Sequence, residues 1–341
     1  MNSPDKKNPD VSIIIPVHNR EELLGQCIDQ IKQTASGSYE IIVVDDHSQP
    51  PVAVSEPNVK TIFLEQNSGP AAARNQGAAL AYGDILFFID SDIMLTAAAY
   101  RAMMETLKQN KYGAVQGMFS PDIPCRNFCS RYKNYYWSYN QQQMDPHSYS
   151  LCTALFAIKK DVFTDAGRFN ESSLIGEDRE MGFTLQQKKI KILQIKDAKG
   201  IHCKNFNFHQ LILYHFQSAV ATALFLLQIR NEPVQDRTAG GGWRQTAGII
   251  LSPVFIISIA GAFISLEKFF ILAAGLFLFY IWITAGFVRF CQKQEGSLFA
   301  AAAFLMYVVE EATAFLGLCW GFLRHYIFQK KQLDFRFGKG L

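Results

Sequence analysis

Residues Ser68–Asp92, SGPAAARNQGAALAYGDILFFIDSD, restrict what this chain can fold into more than any other stretch. A glycine-punctuated, alanine-rich run with helical spacing carries one arginine, Arg74, and passes into an apolar run that stops at Asp90-Ser91-Asp92. Continuous apolarity marks a strand buried on both faces. Two carboxylates released together at its C-terminal end suit a hard divalent cation: oxygen ligands hold Mg²⁺ or Mn²⁺, and the metal neutralises a bound diphosphate.

The segments before it follow the same plan. Val11 to Val17 is a short β-branched run that stops at His18-Asn19-Arg20, and Glu21 to Thr34 continues with helical spacing. Glu40 to Asp46 repeats the strand-then-polar pattern, and Val59 to Leu64 reads as a third strand. The predicted helix Pro70 to Tyr82 and strand Asp84 to Ile89 follow. Apolar strands separated by helices imply an α/β domain with a mostly parallel sheet and helices on both faces. Such sheets bind ligands beyond the carboxyl ends of their strands. His18 and Asn19, Asp45 and Asp46, and Asp90 and Asp92 all fall at such ends.

Composition matters because it is uneven. Of 341 residues 49% are hydrophobic and 18% charged, yet Thr246 to Leu266 and Phe269 to Val288 hold no charged residue. Each is about the ~20 residues needed to cross a bilayer. The N-terminal MNSPDKKNPD lacks the apolar core of a signal peptide, so the first domain is expected to stay in the cytosol. A net charge of +3 with no dense basic face argues against nucleic acid. The seven cysteines are scattered; Cys125 and Cys129 have no answering Cys or His pair and read as free thiols of a reducing compartment.

PVHNR, VVDDHS, AAARNQGAALAYGD and FFIDSD, in this order, resemble the family 2 glycosyltransferases of the GT-A fold over roughly the first two hundred residues. The resemblance implies a nucleotide-sugar donor, with Pro16, His18 and Asn19 beside the nucleotide and Asp45 or Asp46 on its base. It puts Arg74 on the diphosphate side, Asp90 on the ribose or a water, and Asp92 on the metal. The plainer readings are that Asp45 and Asp46 end a strand and cap the next turn, that Arg74 is a helix-surface charge, and that the DSD aspartates cap a helix near Thr96.

A second constellation is Gly167 to Leu185, GRFNESSLIGEDREMGFTL. A polar, glycine-bounded loop brings Glu177 and Asp178 to the first turn of a helix with Met181, Phe183 and Leu185 facing inward. The positive end of a helix favours the carboxylate, which suits a general base. The resemblance assigns this pair to the removal of the acceptor hydroxyl's proton, with Asp178 as the base; the plainer reading is a capping box with Glu180. A base favours transfer to a hydroxyl over transfer to polyprenyl phosphate, which is already anionic. His202 follows the predicted strand Ile190 to Ile195 and, by resemblance, is a metal or diphosphate ligand; a lone histidine is otherwise a hydrogen-bonded structural residue. Lys204 is suited to the diphosphate or to lipid headgroups. Tyr132 to Tyr139 reads either as an aromatic wall for the acceptor or as core.

Beyond the predicted catalytic domain, 1–205, the segment 206–243 reads as an amphipathic helix in the membrane interface, because His209, Tyr214, His215 and Gln217 interrupt its apolar face. Residues 244–341 read as transmembrane helices with a basic tail. Glu310 and Glu311 sit in the middle of the third apolar segment, Leu298 to Leu323, and carboxylates there must face protein, water or headgroups. Three spans would also leave Arg324, Lys330, Lys331, Arg336 and Lys339 outside, against the positive-inside tendency. The expected protein is an integral inner- or plasma-membrane enzyme with a cytosolic catalytic domain. It would be an inverting transferase, dependent on Mg²⁺ or Mn²⁺, with a lipid-linked or membrane-proximal glycan as acceptor and membrane lipids as partners. A homo-oligomer is left open, and a non-catalytic nucleotide-binding scaffold is the alternative from another class.

Overall fold

The structure, a computed structural model, describes residues 8–328 apart from 55, 57, 148, 173–175, 232–241 and 264–266. The chain divides into two compact units, Met1–Cys125 with Asn140–Lys204 and Arg126–Tyr139 with Asn205–Leu341.

The first unit carries β1 (Val11–Val17), α1 (Glu21–Thr34), β2 (Tyr39–Asp45), β3 (Val59–Phe63), α2 (Pro70–Leu80), β4 (Ile85–Ile89), β5 (Ile93–Met94), α3 (Ala97–Lys108) and β6 (Ala114–Phe119). The helix α4 (Phe128–Gln143) follows, then β7 (Leu155–Lys159), α5 (Lys160–Asp165), α6 (Glu177–Gln187) and β8 (Ile192–His202). The strands form one sheet in the order β3-β2-β1-β4-β7-β6-β8-β5. The pairs β2–β3, β1–β2, β1–β4 and β6–β8 are parallel, while β7 runs antiparallel to both β4 and β6. The expected mostly parallel sheet is therefore present, with one reversed strand inside it.

Small side chains explain how α2 reaches the sheet. Ala71, Ala73 and Ala78 are buried in one cluster with Ile14, Val44, Leu86 and Phe88. A Cβ added to Gly77 would stand 2.4 Å from Ile14 Cγ2, so nothing larger than glycine fits there without movement. In the same cluster Phe88 lies 5.4 Å from both Phe163 and Phe169, ring centre to ring centre. A fully buried phenylalanine of this kind stabilises by about 1.5–3 kcal/mol through burial.

One strand runs further than its apolar run suggests. β8 continues to His202 because residues 196–202 alternate: Lys196, Asp197 and Lys199 are exposed, while Ala198, Gly200 and His202 are buried. The two-residue β5, directly after the DSD motif, pairs antiparallel with its end, Ile93 opposite His202.

The second unit contains the greater part of α4 with α7 (Phe208–Gln228), α8 (Trp243–Phe263), α9 (Glu267–Glu295) and α10 (Ser297–Phe328). All four of these later helices are long and apolar enough to cross a membrane. Exposed Ile256, Ile257, Phe263, Phe270, Ile271 and Leu278 give α8 and α9 an apolar outer surface, which a bilayer satisfies and water does not. The helix α7, expected at the membrane interface from its polar positions, is one of these candidate spans. It packs along α10, where Cβ atoms at Gly317 and Gly321 would lie 2.5 Å from Phe216 O and 2.7 Å from Ala223 Cβ. Paired small residues of this kind let helix backbones approach closely in lipid. His215 of α7 turns inward, with Nε2 2.5 Å from Glu310 Oε1.

Glu310 is 2% exposed. Besides His215 it accepts a hydrogen bond from Tyr132 Oη at 2.9 Å, and Lys133 Nζ lies 3.7 Å from its Oε1. The Lys133 ammonium also lies 4.9–5.3 Å from the ring centres of Tyr136, Trp137 and Tyr214. The aromatic run of α4 is thus core: Tyr132, Tyr135 and Tyr136 are buried in the same cluster as Tyr280, Phe287 and Tyr307. The basic tail residues Lys330, Lys331, Arg336 and Lys339 lie outside the described residues.

Candidate active site

The parallel register of β1, β2 and β4 brings their C-terminal ends to one edge of the sheet, with Val17 beside Asp45 and β1 also next to the strand that leads to Asp90. Pro16 is part of β1, opposite Val44. Asn19 has φ +54°, and its Oδ1 accepts Gln49 N at 2.8 Å; His18 Nδ1 lies 2.8 Å from the Asp46 carbonyl oxygen. Asp45 uses both carboxylate oxygens on its own loop, accepting Ser48 N at 2.8 Å and Val52 N at 3.0 Å. Asp46 accepts Ser68 N at 2.7 Å and Gly69 N at 2.8 Å, which ties the β2 edge to the entry of α2. Turn-capping is what these two aspartates do in this structure.

Arg74 is not a helix-surface charge. It is 3% exposed, and its Nη2 donates to Asp90 Oδ1 at 2.7 Å while its Nη1 donates to Glu177 Oε1 at 2.7 Å. Burial disfavours the charge, but Asp90 and then Glu177 outweigh it and hold the guanidinium protonated. One buried fork therefore joins the DSD motif to the Glu177-Asp178 pair.

Asp92 is 4% exposed. Its Oδ2 contacts Arg20 Nη1, and its Oδ1 faces His202 Nε2 at 3.6 Å. Burial would raise its pKa, yet His202, Arg20 and Lys204 together hold the carboxyl well below the usual range. Lys204 is in turn pulled down, first by burial and then by Arg20. The Asp92 Oδ1 atom is buried and accepts no hydrogen bond, so an anionic oxygen and an imidazole nitrogen face one another. A divalent cation fits between such donors. Among the described residues no three His, Cys, Asp or Glu side chains converge on one point, which leaves further ligands to a diphosphate and water. The His202 ring is fixed by stacking on Phe119, 4.6 Å between centres.

Glu177 and Asp178 open α6 behind Gly176, whose φ of +97° favours glycine. The capping box is not formed: no side chain caps the helix, and Glu180 instead accepts Asn170 Nδ2 at 2.7 Å. Met181 and Leu185, four apart, are buried, whereas Phe183 is half-buried because two helical residues turn it away from them. Asp178 Oδ1 accepts Arg179 N at 2.7 Å. Burial, then the neighbouring Glu177 carboxylate, pushes the Asp178 pKa up to about 6. The helix terminus does not keep the group at an ordinary carboxylate value, although it is still mostly ionised at neutral pH. Residues 173–175 of the preceding loop lie outside the described residues.

The motif reading left one residue of this cluster without a role. Arg20 ends the PVHNR motif and precedes α1, so its place at the β1 edge was a usable signal.

Residues 12–167 match the family described as Glycosyl transferase family 2. Over 191 residues the chain is 27% identical to an uncharacterized glycosyltransferase of Haemophilus influenzae, an overlap of 52% of this chain and 62% of that protein. It is 33% identical over 128 residues to the poly(ribitol-phosphate) beta-glucosyltransferase of Bacillus spizizenii, covering 33% of this chain and 20% of the relative. The chain thus spans less than two thirds of the length of these relatives. A solved structure of the mannosyltransferase PcManGT from Pyrobaculum calidifontis, in complex with GDP-Man and Mn²⁺, shares the fold with a TM-score of 0.56 at 14% identity, over 96% of this chain and 89% of that one. Residues 12–167 of this chain thus form a segment matched by Glycosyl transferase family 2, and the aspartate-bearing sheet edge lies within it.

Proposed function

We propose that the protein is an inverting, metal-dependent glycosyltransferase that moves a sugar from a nucleotide-diphosphate donor to a hydroxyl of a lipid-linked or membrane-proximal glycan. The observation that carries this is the Arg74 fork, which holds Asp90 of the donor motif and Glu177 of the base motif at one place. In this reading Asp178 takes the proton of the acceptor hydroxyl. The hydroxyl oxygen forms its bond to the anomeric carbon from the face opposite the diphosphate, the carbon–oxygen bond to the diphosphate breaks, and the anomeric centre inverts. Asp92 and His202 would hold the divalent cation, which stabilises the negative charge on the departing diphosphate. The Mn²⁺ in the PcManGT complex supports that choice. Asp45, Asp46, His18 and Asn19 form the loops on which the nucleotide would rest.

The membrane part of the reading is supported by the helix count. Among the described residues four helices are candidate spans, and an even number of crossings is the count that accords with the positive-inside tendency for a cytosolic catalytic domain. In this reading the membrane is an inner or plasma membrane and the acceptor is met at the bilayer surface.

The test is to purify the full chain in detergent and screen nucleotide sugars, with Mg²⁺ or Mn²⁺, for thermal stabilisation and hydrolysis, since a true donor binds the native state. A donor should appear whose turnover is lost on adding EDTA and in Asp92→Ala. Stabilisation by none of them would refute the reading.

A further inference from the structure

We propose that Arg20 is a resident counter-cation for Asp92 that hands over to the donor: it occupies the carboxylate while the site is empty of donor, and moves to the diphosphate oxygens when a divalent cation arrives. The inference rests on the glycosyltransferase reading and goes beyond it by giving Arg20 a role in two states.

The two arginines of the site differ in the freedom they have. Arg74 has both arms of its fork on carboxylates, Asp90 and Glu177, and is itself enclosed. Among the described residues Arg20 is paired with one carboxylate, Asp92, and its side chain is 29% exposed, so part of it already meets solvent. Asp92 cannot do without a cation, because an uncompensated buried carboxylate is costly by several kcal/mol. Its Oδ2 is covered by Arg20, and its Oδ1, without a hydrogen bond, faces His202. A divalent cation entering on the His202 side brings a second and larger positive charge to the carboxylate Arg20 already holds, and like charges so close repel.

The diphosphate gives the guanidinium a better place. A planar fork of N–H donors matches phosphate oxygens in geometry and charge. As the bond from the anomeric carbon to the diphosphate breaks, its electron pair stays on the phosphate oxygen and the leaving group gains one negative charge. An arginine that reaches the diphosphate in that state stabilises the transition state more than the bound donor. Arg20 thus competes with the metal in the empty protein and assists it in the loaded one.

The two roles predict effects of opposite sign from one substitution. Full-length Arg20→Met, in detergent, is titrated with Mn²⁺ alone, by the electron paramagnetic resonance signal of free Mn²⁺, and then with pyrophosphate in the presence of saturating Mn²⁺. Mn²⁺ alone is expected to bind several-fold more tightly than to wild type, and pyrophosphate roughly tenfold more weakly, the size of one charge-assisted hydrogen bond. Arg20→Lys keeps the charge but not the fork, so it should restore the wild-type Mn²⁺ affinity and recover only part of the pyrophosphate affinity. It also carries the test should the methionine variant fold poorly. Unchanged or weaker Mn²⁺ binding in Arg20→Met, or unchanged pyrophosphate binding, would overturn the hand-over. A wild-type chain that binds no Mn²⁺ even with pyrophosphate present would instead overturn the metal-dependent glycosyltransferase reading itself.

Discussion

Arg74 and Glu177 are 103 positions apart in the chain, and Arg74 Nη1 donates to Glu177 Oε1 at 2.7 Å. The same guanidinium holds Asp90 at 2.7 Å. The DSD motif and the Glu177-Asp178 pair are therefore fixed to each other by one buried side chain.

Arg74→Met leaves two carboxylates without their counter-ion. The expected loss of stability is roughly 3–5 kcal/mol, as for other buried pairs broken on one side, measured by chemical denaturation in detergent. Arg74→Lys should recover only part of it, since an ammonium cannot span both acceptors as the fork does. A wild-type midpoint for Arg74→Met would show that the fork does not hold the site together.

Donor hydrolysis and transfer should fall roughly a hundredfold or more in Asp92→Ala, the scale for losing an electrostatic stabiliser of the leaving charge. His202→Ala should cost less and raise the Mn²⁺ concentration needed for half-maximal rate. Equal rates in wild type and Asp92→Ala at saturating Mn²⁺ would exclude Asp92 as the metal's anchor.

With Asp178 as the proposed base, its raised pKa of about 6 would set the acid limb of the rate profile. The base works deprotonated, so kcat/KM should rise about tenfold per pH unit below 6 and level off above about 7. Asp178→Asn should abolish transfer and its pH dependence together. A flat profile between pH 5 and 7 would contradict the assignment.

The same shift has the opposite sign for stability. Between 3.8 and about 6 the folded state binds the proton that the unfolded state has released, so burial of Asp178 stabilises least above pH 6. Asp178→Asn is therefore expected to be more resistant to denaturant than wild type at pH 8, and to lose that advantage near pH 4. A destabilised variant at pH 8 would mean that the carboxylate is compensated in the fold.

In the helical unit Lys133 and Glu310 form a buried pair, with His215 Nε2 2.5 Å from the same Glu310 oxygen. Lys133→Met and Glu310→Gln should each destabilise by about 3–5 kcal/mol, whereas the double variant should lie much closer to wild type, because no lone charge is left. Additive losses in the double variant would show that the two side chains do not compensate one another.

Much of the first unit is legible from short patterns. The apolar runs that become β1, β2 and β4 end in polar residues, and α2 is announced by its small, glycine-broken sequence, because both features follow from local burial. The end of β8 was harder to read. Its charged residues alternate with small ones, a weaker signal than an apolar run, and so His202 reads as following the strand when it is the strand's last residue. The polar positions of α7 pointed to water for a related reason: His215 makes an amphipathic pattern whether its partner is solvent or, as here, Glu310.

By itself the sequence determined which elements form and where the carboxylates leave them, since helix and strand periodicity and the residues that end each element are local properties. The tertiary structure decided what those carboxylates do. Asp45 and Asp46 close loops, Arg74 bridges rather than projects, Asp92 has an arginine on one oxygen and a histidine facing the other, and Glu310 has a lysine from α4. Each outcome depends on a charge brought from a distant part of the chain into a low-dielectric interior, where a buried ion must find its counter-ion. No periodicity encodes that partner.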